Sequence, residues 1–505
     1  MWRIQKFPLS ILSKTWAMPF VPRKNSTIST SYYNELGEPE SYKEAMAALG
    51  MLQSKPKESA DPNNLKDTWK YLYRSGITAR DIDTLSVIHV AGTKGKSSAC
   101  AICESILHSF GCKTGFFSSP HFISVTERYH INGRPITEKY FSKVFWKLYN
   151  TLDKYKEHAA DLPTYFKFLT ILGLHIFFDS NVDVAIIETG VGGLYDSTNI
   201  VRNVQTIGIT SIGLDHSDVL GKSFEEVAAH KAGIIKPNAN VFLAPVDYRV
   251  YDIFNAQAHE RNANLFIIPD MSEYAFKKIP KQLSSRDQLQ NINSSLGIQL
   301  AYDWLRRYRS NKLKNFKSGI VLDTSPEVVK GIESCRWPGM SHIVQVGNKT
   351  VYLNGADNIN SLRTCIDWFK NLTDSSNKYR CLVFNPMPNT DVKVALLAIG
   401  NNINLEMALF VPDIHYHNKE RHLDCEHTWQ SSTLQIDMAE ACSKFWSKIS
   451  NMPPMKVKHF TSVLDAFLYL DKFYPDVEFD ILVTGSMSVI GATRRALDRY
   501  RILII

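Results

Sequence analysis

Residues 87–98 read Val-Ile-His-Val-Ala-Gly-Thr-Lys-Gly-Lys-Ser-Ser, and these types in this order suit the binding of a polyphosphate. Gly92 and Gly95 let backbone N–H groups turn toward an anion, and a helix starting near Ser97 adds the partial positive charge of its N-terminus. Lys96 is placed to reach terminal phosphates, and the hydroxyl of Ser97 or Ser98 to approach a magnesium ion. The spacing Gly-x-x-Gly-Lys-Ser-Ser is shorter than the common phosphate-loop pattern, so by itself it also reads as an ordinary turn. A second segment places an acid in similar surroundings: the apolar run Val182–Ile187 ends on Glu188 and opens into Gly190, Gly192 and Gly193. An acid there stands at a strand terminus, and magnesium prefers such oxygen ligands while keeping several waters. Phosphoryl transfer needs charge neutralisation and positioning above all, which is what a phosphate loop, a cation and a carboxylate-held metal supply.

The elements that must position these groups alternate regularly. Candidate strands are Ser86–Val90, Thr114–Phe117, Val182–Glu188, Thr206–Thr210 and Asn240–Ala244, separated by helical stretches such as Ser97–Phe110, which Gly111 is placed to cap. Ser41–Leu52 also reads as a helix. The alternation predicts an α/β fold with a mainly parallel sheet covered on both faces. Ligands bind such sheets at the carboxyl ends of the strands, where Lys96, Glu188 and His216 would sit. Between about 306 and 336 the pattern gives way to a Lys/Arg-rich, helix-poor stretch, read as an interdomain connection. Beyond it Val351–Leu353, Arg380–Phe384, Met407–Val411 and Phe479–Val483 predict a second α/β domain.

The 505 residues exceed one ordinary core, and 44% hydrophobic with 21% charged residues describes a globular chain. The net charge of +8 is spread along the sequence, as expected of a solvated surface more than of a basic face for anionic ligands. No apolar run approaches the ~18 residues of a membrane span. The eight cysteines do not form a disulfide framework, and Cys100 and Cys103 fall inside one helix, in an apolar packing role. The first 34 residues lack acids and carry Arg3, Lys6, Lys14, Arg23 and Lys24 among many Ser and Thr. That composition predicts a mitochondrial transit segment, a disordered tail being the alternative, and Met18 offers an internal start for a cytosolic form.

Further motifs follow in a fixed order: Phe116–His121, Glu127-Arg128, Ile131-Asn132-Gly133, Glu188–Gly193, Asp196-Ser197-Thr198-Asn199, Gly213–His216, Lys231–Ile234, Trp337-Pro338-Gly339 and Val483–Ser486. With the Gly92–Lys96 loop they resemble the folylpolyglutamate synthases, a branch of the Mur-ligase superfamily of ATP-dependent amide-forming enzymes, over roughly residues 40 to 495. The resemblance implies a P-loop Mur-ligase-type ATP-binding domain at 35–310, a linker at 311–336 and a smaller, Rossmann-like C-terminal domain at 337–505. It implies ATP held by Gly92, Thr93, Lys94, Gly95, Lys96, Ser97, Ser98, Gln288 and Asn291, with Met340 and Asn354 contributing from the second domain. It implies magnesium on Ser119, Glu188 and His216, with Ser118 as the competing serine and a monovalent cation as an optional addition. Lys96, Lys231 and His216 are the implied catalytic residues, Lys231 as a carbamylated lysine that positions a second magnesium. Phe122, Glu127, Arg128 and Tyr165 are the implied folate contacts, with Phe166 beside Tyr165.

The implied reaction adds L-glutamate to the γ-carboxyl of a reduced folate through an acyl phosphate, in a monomer of the mitochondrial matrix and cytoplasm, with no nucleic-acid partner. Departures from the family pattern fall in the second domain. Met340 and Thr390 stand where an arginine is usual, and Asn354 and Asp357 where Asp and His are usual. They favour, as one alternative, a weakened nucleotide- or folate-binding paralogue; dihydrofolate synthase, on the same scaffold, is the enzymatic alternative.

Overall fold

A computed structural model describes residues 41–52, 58–121, 124–277, 280, 288–309, 319–335, 337, 341–356, 359–386, 391–414, 432–450 and 452–503. Residues 1–34, Met18, Phe122, Pro338, Gly339, Met340, Asp357 and Thr390 lie outside the described residues.

The first sheet has eight strands: β1 Val87–Ala91, β2 Thr114–Phe117, β3 Tyr129–Ile131, β4 Arg134–Pro135, β5 Val184–Glu188, β6 Val204–Ile209, β7 Asn240–Leu243 and β8 Asn264–Ile267. Their order is β4-β3-β2-β5-β1-β6-β7-β8. All pair in parallel except the β2–β3–β4 edge, which turns back through Asn132-Gly133. The central strands are apolar runs because both faces are covered. In β1, Ile88 and Val90 enter one core while Val87 and Ala91 enter the other; in β5, Val184 and Ile186 pair with the first set and Ala185 and Ile187 with the second. By this period of two Glu188 projects to the same face as Val184 and Ile186, where the helix Lys96–Ser109 lies. His89 projects to the other.

A second sheet has six strands: β9 His342–Val346, β10 Lys349–Leu353, β11 Tyr379–Asn385, β12 Met407–Phe410, β13 Val457–His459 and β14 Phe479–Gly485. Their order is β13-β12-β11-β14-β10-β9, with only the β9–β10 pair antiparallel among these described strands. It carries its own apolar cores, one on each face.

Every predicted strand is present, with ends shifted by a few residues. The expected helix-poor stretch is different: Pro326–Ser334 is a helix with proline in its first turn. Val328 and Ile332, four apart, bury one stripe against the helix Lys96–Ser109, and Gly331 sits so close that a Cβ there would lie 2.6 Å from Ile106 Cα. Trp337 continues this packing, its ring 5.1 Å from that of Phe116 and 5.3 Å from that of His130. Cys100 and Cys103 are free, fully buried thiols in the same core, as their apolar role requires.

Candidate active site

The phosphate loop is built as its residue types demand. β1 ends at Ala91, Gly92 and Gly95 take positive φ, and the helix starts at Lys96 with Gly95 as its N-cap. Gly95 is left-handed at φ +87°, and a side chain there would overlap Asn293 Oδ1. Thr93 and Lys94 tie the loop to the segment after β6. Thr93 N donates to Ser211 O at 2.7 Å, and its hydroxyl donates to Gly213 O at 3.1 Å and accepts from Gly213 N at 3.0 Å. Lys94 N donates to Ser211 Oγ at 3.3 Å. Ser97 is half-buried and Ser98 buried in the helix's first turn.

Two lysines converge on one carbonyl. Lys96 Nζ donates to Gly92 O at 3.1 Å and Lys231 Nζ at 2.8 Å. Lys96 Nζ also lies 3.8 Å from Glu188 Oε1. Glu188 is 1% exposed, and burial pushes its carboxyl up to about 7 against the opposing pull of Lys96, the Ser97 hydroxyl, the Ser119 N–H and Arg128. Burial, helped by repulsion from Lys96, brings the Lys231 ammonium down to about 7, although Asp215 and Asp196 oppose this. The pocket therefore holds an under-solvated carboxylate and an under-solvated amine. Each gains from a counter-charge brought by a ligand: a cation for Glu188, an anion for the lysines.

Ser119 joins Glu188 through its backbone, the N–H donating to Oε2 at 3.4 Å, so the two residues meet where β2 and β5 end. Hard oxygen donors of this kind suit magnesium. Ser118, the competing serine, is buried and turned toward the Glu127 carbonyl, 3.5 Å away. His216 is not drawn into this group. It caps a four-residue helix, its side chain is 52% exposed, and its ring lies 4.0 Å from Asp215. Among the described residues no group of three or more His, Cys, Asp or Glu side chains gathers to hold a metal.

On the β2–β3 side Arg128 is 1% exposed, donates from Nε to His121 Nδ1 at 2.9 Å and sits 5.9 Å from the Tyr165 ring. Glu127 precedes it, half-buried. Arg128 and Tyr165 are thus neighbours, and Phe166 packs on Gly190 in the loop after Glu188.

Of the adenine-site pair, Gln288 is exposed at the start of its helix and Asn291 is half-buried. The asparagine that meets the phosphate loop is Asn293, which sequence reasoning missed. It is fully buried against Gly95, and among the described residues neither Oδ1 nor Nδ2 has a hydrogen-bond partner. Two helical residues two apart point about 200° away from each other, so Asn291 and Asn293 cannot both face the loop. Only the helix phase, which the local sequence leaves open, distinguishes them. Asn354, following β10 in the second sheet, is buried and donates from Nδ2 to Ser341 Oγ at 3.1 Å.

No family model matches the chain. Individual proteins do. The chain is 34% identical over 407 residues to the mitochondrial folylpolyglutamate synthase of Bos taurus, covering 75% of this chain and 69% of that one. It is 29% identical over 513 residues to the folylpolyglutamate synthase of Arabidopsis thaliana, covering 91% and 89%. The solved structure of Mycobacterium tuberculosis folylpolyglutamate synthase complexed with ADP superposes with a TM-score of 0.69 at 20% identity, over 90% of this chain and 98% of that one, which shows the same fold. On these likenesses the chain belongs to the folylpolyglutamate synthase family.

Proposed function

We propose that this protein is an ATP-dependent ligase that adds L-glutamate to the γ-carboxyl of a reduced folate and of its polyglutamates. One observation carries the reading: Lys96 and Lys231 meet at Gly92 O in the phosphate loop, and the buried Glu188 lies 3.8 Å from Lys96 Nζ. A carboxylate is a poor electrophile in water and has to be activated before an amine will attack it. The folate carboxylate takes the terminal phosphoryl group of ATP and ADP departs. The glutamate amine then attacks the acyl carbon, phosphate leaves with the C–O bond electrons, and the amine gives up a proton.

Lys96 leaves Gly92 O to meet the transferred phosphoryl group, and the loop N–H groups hold the rest of the polyphosphate. Glu188 and Ser119 would hold magnesium, which when bound neutralises phosphate charge. Lys231, near neutral in its buried site, is suited to carbamylation or to direct contact with an anion. Arg128 and Tyr165 form the wall against which the pterin end would pack. The bovine relative's mitochondrial name, beside the acid-free residues 1–34, supports a mitochondrial form, with initiation at Met18 giving a cytosolic one.

ADP release with tetrahydrofolate plus glutamate, set beside dihydropteroate plus glutamate, tests the reading. Turnover with tetrahydrofolate supports it, turnover with dihydropteroate alone makes the protein a dihydrofolate synthase, and turnover with neither leaves a binding paralogue.

A further inference from the structure

The segment Asp196-Ser197-Thr198-Asn199 takes no part in the chemistry above, yet it is almost fully buried, each residue being at most 8% exposed. Its four side chains engage four different pieces of structure. Asp196 Oδ2 accepts from Val191 N at 3.0 Å and faces the Gly190 N–H, so it grips the glycine loop that follows Glu188. Asp196 Oδ1 accepts from Thr198 N at 3.0 Å and Thr198 Oγ1 at 2.5 Å. Thr198 Oγ1 also meets His89 Nε2 at 2.9 Å, and His89 lies in β1, the strand that delivers the phosphate loop.

The proton positions follow from the donors available. A threonine hydroxyl has one proton, and the carboxylate takes it, so His89 must be the donor, through Nε2–H. Its Nδ1, buried without a partner among the described residues, then carries no proton. Asn199 faces a third element: Nδ2 donates to Leu194 O at 3.0 Å and to Gly233 O at 3.2 Å, while Oδ1 accepts from Lys236 Nζ at 2.7 Å. Gly233 and Lys236 follow Lys231 by two and five residues. Ser197 Oγ accepts from Asn64 Nδ2 at 3.2 Å, and the same Nδ2 donates to Tyr195 O at 2.7 Å, which anchors the turn to the helix Asn64–Arg74.

We propose that the Asp196–Asn199 turn is the positioning element of this active site: its side chains fix the spacing between the phosphate-loop strand, the Glu188 loop and the Lys231 helix end. Lys96 and Lys231, which meet at Gly92 O, and Glu188, beside Lys96, arrive from three separate elements, and this turn is bonded to all three. Its residues act through the groups they hold and do not touch the reacting atoms. The inference rests on the proposed ligase reading for its substrates but not for its geometry.

The test compares Thr198→Val with Thr198→Ser in the full chain. Valine keeps the volume but removes the hydroxyl that joins Asp196 to His89, whereas serine keeps it. The readouts are steady-state ADP release, calorimetric ADP affinity with and without magnesium, and the melting temperature. Displacement of groups by a fraction of an ångström predicts that Thr198→Val lowers kcat about tenfold or more while the KM for folate stays within about threefold. The gain in ADP affinity on adding magnesium should shrink by a similar factor, and Thr198→Ser should stay within about threefold of the parent on every readout.

A folded Thr198→Val chain with parental kcat and parental magnesium-dependent ADP affinity overturns the proposal, as does a serine variant that loses as much as the valine one. A lowered melting temperature with unchanged kinetics below it also overturns it. If Thr198→Val does not fold, Asp196→Asn takes its place under the same thresholds, and failure of both to fold makes the turn a folding element and ends the claim. A parent that releases no ADP with any pteroate defeats the ligase reading, while ADP binding still decides the fate of the turn.

Discussion

Lys96 and Glu188 show how much of this site is decided by single side chains in poorly solvated positions. On the proposed reading Lys96→Ala removes the cation that would meet the transferred phosphoryl group, and loss of one such stabilising contact is expected to cost roughly 10²–10³ in kcat. The fold should survive, because Lys96 stands at the first helical residue after the phosphate loop and not among the buried apolar residues; circular dichroism and a melting curve check this. Glu188 makes a pH prediction. Its folded-state value is raised from 4.5 to about 7, so the folded chain binds more protons than the unfolded chain between those values. Stability attributable to it is full below pH 4.5 and falls as pH rises through 7.

Glu188→Gln should therefore melt higher than the parent at pH 8 in chelator, with the difference vanishing near pH 4.5, even as ligation is lost. Lys231 gives the mirror case. Its value falls from 10.5 to about 7, so it costs stability below 7 and the cost fades toward pH 10.5. Lys231→Met should thus stabilise the ligand-free chain most at or below neutral pH, and a melting series across pH 6 to 10 measures this.

At the scale of elements, the strand–loop–helix that opens at Val87 was legible because its β-branched run, its two glycines and its uninterrupted helix each allow one conformation. β1, β2 and β5 were legible for a related reason: buried on both faces, they read as continuous apolar runs. β3, β4, β8 and β13 were not, since strands of two to four residues with partly exposed faces leave no period to detect. The helix Pro326–Ser334 was hidden beside a basic stretch, its single apolar stripe just two residues long. The candidate site was legible where a motif and a strand end coincide, as at Lys96 and Glu188. Sequence reasoning missed Asn293, whose approach to Gly95 depends on helix phase, and it gave no means of bringing the exposed His216 to Glu188.

Asn293 and Gly95 make a prediction of their own. Gly95→Ala forces a side chain into a left-handed site and into Asn293 Oδ1. The conformational part alone costs about 1–2 kcal/mol, so nucleotide affinity should fall roughly tenfold or more. Adding Asn293→Gly relieves the overlap but not the backbone strain, so calorimetry on the double variant should show partial recovery only.

The whole molecule joins a first sheet, whose loops hold the residues proposed for the chemistry, to a second sheet whose motifs depart from the pattern the resemblance implies. Asn354 bonds to Ser341 with a neutral amide where an aspartate is usual, and Met340 offers no guanidinium. Each missing charge-assisted hydrogen bond is worth roughly 1.5–3 kcal/mol. Met340→Arg with Asn354→Asp is accordingly expected to lower the KM for ATP about tenfold or more and to leave folate affinity alone. An unchanged KM would mean that these positions do not meet the nucleotide.

The central claim, that this chain lengthens a folate by glutamate at the expense of ATP, is tested most directly by mass spectrometry of the pteroyl product. Tetrahydrofolate incubated with the protein, ATP, magnesium and glutamate should gain successive glutamyl residues, each matched by one ADP, and Lys96→Ala should leave the folate unextended. Recovery of tetrahydrofolate with no added residue and no ADP, from a folded parent protein that binds nucleotide, would contradict the account.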